Sequence, residues 1–93
     1  MANLSDDDIF VKMASEFIDV ANKYGREVDQ QLVGAALSHA AARYNAFVCS
    51  TKVEDATHMA DIRDDVTRHH VDAFREAFGH HYDDHLKGLA KKA

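Results

Sequence analysis

Histidines and carboxylates that recur every three or four residues are the part of this sequence best suited to chemistry. Seven of the 93 residues are histidine, and several alternate with acidic side chains between residues 54 and 76. On a helix this spacing forms one stripe, from which i and i+4 side chains can hold a transition-metal ion. A solvated face with attractive His–carboxylate contacts is the simpler interpretation. The candidate ligands are His58, Asp61, Asp65 and His69, within a stripe that also includes Glu54, Asp72 and Glu76.

A second cluster lies in the stretch HHYDDH near the C-terminus. His81 and His85 form an i, i+4 pair, and so do His80 and Asp84, provided that helix persists through the stretch. The HExxH pattern of a metallohydrolase and the ExxH pairs of di-iron bundles are both missing. The His80–His85 cluster is therefore an alternative metal site, with His81 and His85 as candidate ligands. Adventitious binding of nickel or zinc is the simpler interpretation.

Arg43 is the polar exception in the otherwise apolar stretch AAARYNAFV. A buried arginine without a partner is unfavourable, so a carboxylate or a carbonyl is expected beside it, and Glu16 and Asp19 on the first helix are the candidates. Together with Asn22 and Asn45, Arg43 could bind a small anion. The structural interpretation is that Arg43 packs its stem and extends its head to solvent, while the asparagines hydrogen-bond across helices.

Covalent catalysis has little support in this sequence. Cys49 lies in a predicted helix without an obvious base beside it, and burial as a small apolar side chain is its ordinary state. A GxSxG motif, a phosphate-binding glycine loop and a CxxC pair are all missing. We therefore predict no catalytic residue and no cofactor, and a protein that is not an enzyme.

Three helices must position these side chains. The chain has no proline and four glycines, a composition that favours helix. Apolar residues recur with helical period over residues 5–25, 29–50 and 52–79, and a weaker pattern extends to about residue 90. The prediction is one all-α domain over residues 1–93, a small three-helix bundle with or without a short fourth C-terminal helix or extension.

Local signals predict where these helices begin and end. Ser5 is a good N-cap for the first helix, and Gly25 is a natural stop. The second helix begins either after Asp29 or at Gly34. Thr51 opens the sequence TKVE, which fits a capping box for the third helix.

The second helix lacks a charged face. One side is a broad apolar arc, and the opposite side has small residues: Gly34, Ala35, Ser38, Ala42, Ala46 and Cys49. A helix without a charged face is usually covered on both sides, and small residues let a neighbouring helix come close. This predicts either a central helix or a contact with a second copy, most simply a two-fold homodimer.

Charge and composition narrow the partners and the compartment. The net charge is −5, with 16 acidic residues against 11 basic ones, which argues against nucleic-acid binding. No apolar run approaches the roughly 20 residues that span a bilayer. The single cysteine suggests a reducing compartment, and the N-terminus does not look like a signal peptide. We therefore expect a cytoplasmic protein that binds neither membrane nor nucleic acid.

Two stretches, EFIDVAN at residues 16–22 and AAARYNAFV at residues 40–48, resemble a family of short bacterial proteins, domain of unknown function 3144. The resemblance covers most of the chain and implies a helical fold and a bacterial source, without any activity. Gly34 replaces a serine helix cap that is usual in the family. His81 and His85 replace an asparagine and a tyrosine, so a metal site there would be peculiar to this chain.

Three functional hypotheses follow. The preferred one is a small helical module that acts by self-association or by binding a protein partner. The second is a metal-binding protein that uses the histidine stripe or the His80–His85 cluster. The third is a binder of a small anion around Arg43.

Overall fold

The computed structural model describes residues 5–92, and all of the regular secondary structure in this range is helical. The all-α prediction is therefore confirmed. None of the helices between residues 5 and 92 combines the length and apolarity needed to cross a membrane. The helices are α1 (Asp6–Gly25), α2 (Gln30–Ser50), α3 (Ala56–Asp61) and α4 (Arg63–Lys92).

Helix α1 begins as its sequence predicts. The Ser5 hydroxyl accepts a hydrogen bond from the Asp8 N–H at 3.1 Å, and three aspartates in the first turn complement the helix dipole. The helix ends at Gly25, also as predicted, but without a left-handed glycine, since no glycine in residues 5–92 has a positive φ. The N–H groups of Glu27 and Val28 instead both donate to the Tyr24 carbonyl at 2.9 Å, which closes the last turn.

Helix α2 begins after Asp29, which resolves the two alternatives for its start. The Asp29 carboxylate accepts a hydrogen bond from the Gln31 N–H at 3.0 Å, and the Asp29 carbonyl accepts the Leu32 N–H at 3.0 Å. A side chain that satisfies an orphan backbone donor fixes a helix start. Gly34 lies inside the helix, one turn later.

The predicted start of the third helix is wrong. Residues 51–55 form turns and bends, and Asp55 rather than Thr51 is the N-cap. The Asp55 carboxylate accepts the His58 N–H at 2.8 Å, while His58 Nδ1 accepts the Glu54 N–H at 3.1 Å. Two backbone donors are thus satisfied reciprocally, four residues later than the TKVE pattern indicates.

The expected third helix is divided in two. Ile62 ends α3 with φ −93° and ψ 0°, outside the usual helical range, and α4 begins at the next residue. Helix α4 then runs for 30 residues and passes through Gly79 without interruption. Of the two alternatives at this glycine, continuation is what the structure shows.

The chain divides after Val48 into two units, and each is described by itself. The first contains α1 and nearly all of α2, and the second contains α3 and α4. Neither unit has a buried side chain among its described residues. Large apolar side chains are exposed in both, including Phe10 (69%) and Tyr44 (66%) in the first and Leu89 (66%) in the second. That residues 1–93 form one domain stays a prediction.

Candidate functional site

Two open grooves lie between α1 and α2 in the first unit. Both take Leu37 as a lining residue. The larger groove, of about 590 Å³, is lined by Phe17, Leu37, Ala40, Ala41, Tyr44 and Asn45. The smaller groove, of about 410 Å³, is lined by Ala21, Asn22, Gly25, Arg26, Gln30, Val33, Gly34 and Leu37. The stretches FIDVAN and AAARYNAFV therefore supply much of the walls of these grooves.

The structure separates the three predicted polar candidates. Asn22 lines the smaller groove and Asn45 the larger one, whereas Arg43 lines neither. Arg43 lies about 120° around α2 from Leu37, at 100° per residue, and so away from the wall that faces α1. The three side chains do not line a common groove.

The expected ion pair of Arg43 with Glu16 or Asp19 is wrong for the described part of the chain. No such pair occurs between residues 5 and 92, because Arg43 lies on a part of α2 that does not line the grooves against α1. The cation that does line a groove is Arg26, beside Asn22. Sequence reasoning missed it because Arg26 falls in the turn after α1, where helical periodicity gives no information.

Small residues predominate on the side of α2 away from the grooves, where His39 and Arg43 also lie. We call Ala35, Ser38, Ala42 and Ala46 the small-residue seam; all four are exposed, and none lines either groove. Ala42 lies about 140° around α2 from Leu37. In its 21 residues α2 has one residue of the Asp, Glu, Lys and Arg types, which is Arg43. Both sides of this helix are therefore poor in charge, as the sequence indicates.

The predicted histidine stripe is interrupted. His58 and Asp61 belong to α3, and Asp65 and His69 belong to α4, on the other side of the break at Ile62. These four side chains do not gather into a group able to share one ion in the described residues. Their role as metal ligands stays a prediction.

Several members of the stripe already have local partners. His58 Nδ1 accepts the Glu54 N–H at 3.1 Å and so completes the cap of α3. Asp65 forms an exposed ion pair with Arg68 at 3.3 Å. The ring of His69 lies edge-on to that of the following histidine, with centroids 5.4 Å apart. These contacts are those of a solvated helix face.

One group of potential metal ligands does come together, at the C-terminal end of α4. His80, His81 and Asp84 each offer a ligand atom, and the three atoms lie within 4.8 Å of one another. His80 Nε2 is 3.6 Å from Asp84 Oδ2, and the two imidazole rings are 5.2 Å apart at an angle of 71°. We call these three residues the C-terminal cluster. His85, the expected partner of His81, is not part of it.

A column of aromatic rings runs along another side of α4. Phe74 and Phe78 have ring centroids 5.7 Å apart, and Phe78 and Tyr82 repeat the same distance. Each of the three is more than half exposed. Sequence reasoning recorded these residues separately, although their i, i+4 spacing is the signal that would have joined them into one aromatic column.

The fold and these surfaces define a small all-α protein that presents weakly charged or aromatic helix faces and one His/Asp cluster. The family described as "Protein of unknown function (DUF3144)" matches residues 10–86, more than half of the chain, and the chain belongs to this family. The resemblance drawn from the two sequence stretches is thereby confirmed. No curated protein and no solved structure matches the chain.

Proposed function

We propose that this chain is a non-enzymatic, cytoplasmic module of bacteria that acts by self-association as a homodimer. The small-residue seam of α2 is the contact surface in this proposal. The single cysteine supports a reducing compartment, and the family resemblance supports a bacterial source. The observation that carries the proposal is that α2 exposes a side of small residues, with Arg43 as its one charged residue, while its other side lines the grooves against α1.

Exposure of this side of α2 to water is unfavourable for a helix of its composition. Leu32 lies about 80° around α2 from Ala42 and is 62% exposed. Apolar area is stabilised by roughly 25 cal/mol for each Å² removed from water, so covering this side chain favours association. Contiguous exposed apolar surface in a small protein commonly marks an interface.

Charge favours a second copy as the occupant. The chain has a net charge of −5, so two copies repel each other through most of their surfaces. Helix α2 contains no acidic residue, and two copies that meet through it avoid that repulsion. Alanine and serine at the seam also let two helix backbones approach closely. A two-fold axis through the seam uses the same patch on both copies.

Introduction of a carboxylate into the seam tests the proposal. Ala42→Glu and Ala46→Glu each place a carboxylate in the contact, and we expect the dimer dissociation constant to rise at least about tenfold, or about 1.4 kcal/mol. Helix content should change little, since alanine and glutamate are both good helix formers. Native mass spectrometry of untagged protein gives the mass relative to the 10.4 kDa chain, and circular dichroism gives the helix content.

Ser15→Glu is the matched control. Ser15 is exposed on α1, lines neither groove, and receives the same additional charge. This variant should dimerise as the wild type does. Equal weakening by Ser15→Glu would assign the effect to net charge instead of the seam. A wild type that is monomeric at every concentration would exclude the homodimer and leave a different protein as the partner of α2.

A further inference from the structure

We propose that His80, His81 and Asp84 bind one divalent transition-metal ion on the surface of α4, and we take zinc as the test ion. Imidazole nitrogens with a carboxylate oxygen are ligands that suit zinc, nickel and copper better than magnesium or calcium. This inference does not depend on self-association, since all three residues lie on α4 and none on α2.

The distances within the C-terminal cluster are close to those of a bound site. Zinc lies about 2.0–2.2 Å from nitrogen and oxygen ligands, so two ligand atoms of a tetrahedral ion are about 3.4 Å apart. His80 Nε2 and Asp84 Oδ2 are already 3.6 Å apart. All three ligand atoms lie within 4.8 Å of one another, so the remaining adjustment is at most about 1.4 Å for the third ligand.

Side-chain rotation can supply that adjustment. The side chains of His80 and Asp84 are 71% and 59% exposed, and His81 is exposed as well. Exposed side chains change rotamer in nanoseconds or less, without displacing neighbours. The backbone of α4 need not move, because i and i+4 positions already lie on one helix face.

The same helix contains a second pair of adjacent histidines, but no carboxylate is available beside it as a further ligand. His69 and His70 have nearly the same ring geometry, with centroids 5.4 Å apart. The carboxylates four residues before and three residues after His69, those of Asp65 and Asp72, each lie 3.3 Å from an arginine nitrogen. In the C-terminal cluster the carboxylate instead contacts a histidine, the potential co-ligand, so a metal ion would replace a weak His–Asp contact and not a charged Arg–Asp pair.

Three protein ligands leave at least one coordination position for water. Structural zinc sites usually close with four protein ligands, whereas sites with three ligands keep an exchangeable position. An exposed site of this kind, built from one helix, should bind zinc with micromolar affinity. The ion also links consecutive turns near the end of α4, so it should stabilise the C-terminal half of that helix.

Calorimetric titration of untagged full-length protein with zinc chloride tests the site. We expect about one ion per chain for the wild type. His80→Ala/His81→Ala should weaken binding at least about tenfold, and Asp84→Asn, which keeps the side-chain size, several-fold. Circular dichroism should show no loss of helix in either variant, because alanine is a better helix former than histidine.

His69→Ala/His70→Ala is the matched control. It should change zinc affinity less than about twofold, since the His69–His70 pair has no available carboxylate beside it. Several results would overturn the assignment. They are no zinc binding by the wild type, equal weakening by the two double variants, or binding that survives His80→Ala/His81→Ala. Greater weakening by His85→Ala than by Asp84→Asn would also overturn it, in favour of the His81–His85 pair.

Discussion

Helix α2, which lies mainly in the first unit, and helix α4 of the second unit differ in charge far more than in length. Among its 21 residues α2 has one residue of the Asp, Glu, Lys and Arg types, whereas α4 has 12 among 30. Both helices expose large apolar side chains, such as Tyr44 (66%) on α2 and Phe74 (61%) on α4. The charged side chains of α4 favour exposure of that helix to water. Helix α2 has no charged face that would do the same.

The difference explains why the two helices support different proposals. On α4 the aromatic column lies on a different side from the His80–Asp84 pair, because Phe78 and His80 are separated by about 160° around the helix. Charged and polar side chains can therefore act singly there, as ligands or ion pairs. On α2 the small-residue seam consists of short uncharged side chains, which allow another helix to pack closely against it. We expect this contrast between α2 and α4 to extend to stability.

Removal of one helix cap in each unit is expected to have the largest effect on stability. Ser5→Ala and Asp55→Ala each delete a side chain that accepts a backbone N–H, at 3.1 Å and 2.8 Å respectively. Each should lower the free energy of unfolding by about 1 kcal/mol. Urea unfolding followed by circular dichroism, at one fixed chain concentration, measures both changes.

The same pair of variants tests the prediction of one domain. In a single cooperative domain both substitutions shift the same transition. Two transitions, each moved by only one of the variants, would contradict a single domain over residues 1–93. Asp55→Asn is the control, since asparagine caps a helix about as well as aspartate and should leave stability nearly unchanged.

Glycine substitution compares the interiors of α2 and α4 directly. Gly34 and Gly79 both lie within a helix, and at either position an added Cβ would meet no atom within 4 Å apart from the neighbouring residues and the backbone of its own helix. Gly34→Ala and Gly79→Ala should each raise the free energy of unfolding by about 0.5–1 kcal/mol, because alanine loses less backbone entropy. Thermal unfolding of the two variants beside the wild type measures the gain.

A difference between the two glycines would show where the contrast fails. Gly34 lines the smaller groove and lies about 80° around α2 from Ala42. It lies about 40° from Ser38, so it is also at the edge of the small-residue seam. A loss of stability for Gly34→Ala together with a gain for Gly79→Ala would mean that α2 is covered at Gly34, and the contact would then extend from the seam toward the groove side.

Sequence patterns predicted the helical fold correctly but placed the start of the third helix wrongly. The caps at Ser5 and Asp29 depend on residues two or three positions apart, so the local sequence is enough to predict them. The TKVE pattern failed because Asp55 and His58 satisfy two backbone donors at least as well, and pattern matching does not weigh such competing hydrogen bonds. No proline or glycine lies at the break at Ile62, so the sequence contains no ordinary signal for it.

The sequence predicted contacts within the candidate sites only where residue spacing along the helix is enough to bring two side chains together. The i, i+4 relation placed His80 beside Asp84, as the structure shows. It equally suggested His81 with His85, and the choice depends on rotamers that a sequence does not contain. The partner of Arg43 was predicted wrongly because the prediction took this side chain as buried, whereas it is exposed and needs no protein partner.

The smallest effect is expected from the exposed ion pairs of α4. Asp72 lies 3.3 Å from Arg75, and the two side chains are 60% and 76% exposed. Solvent screening reduces such pairs to a few tenths of a kcal/mol, so Asp72→Asn should lower the free energy of unfolding by no more than that. Asparagine and aspartate have similar helix propensities, so the substitution isolates the pair. Urea unfolding at low and at high salt measures the difference, which should shrink as salt is added.

A loss above about 1 kcal/mol that persists at high salt would mean that this side of α4 is removed from water as well. The contrast with α2 would then be one of sequence and not of environment.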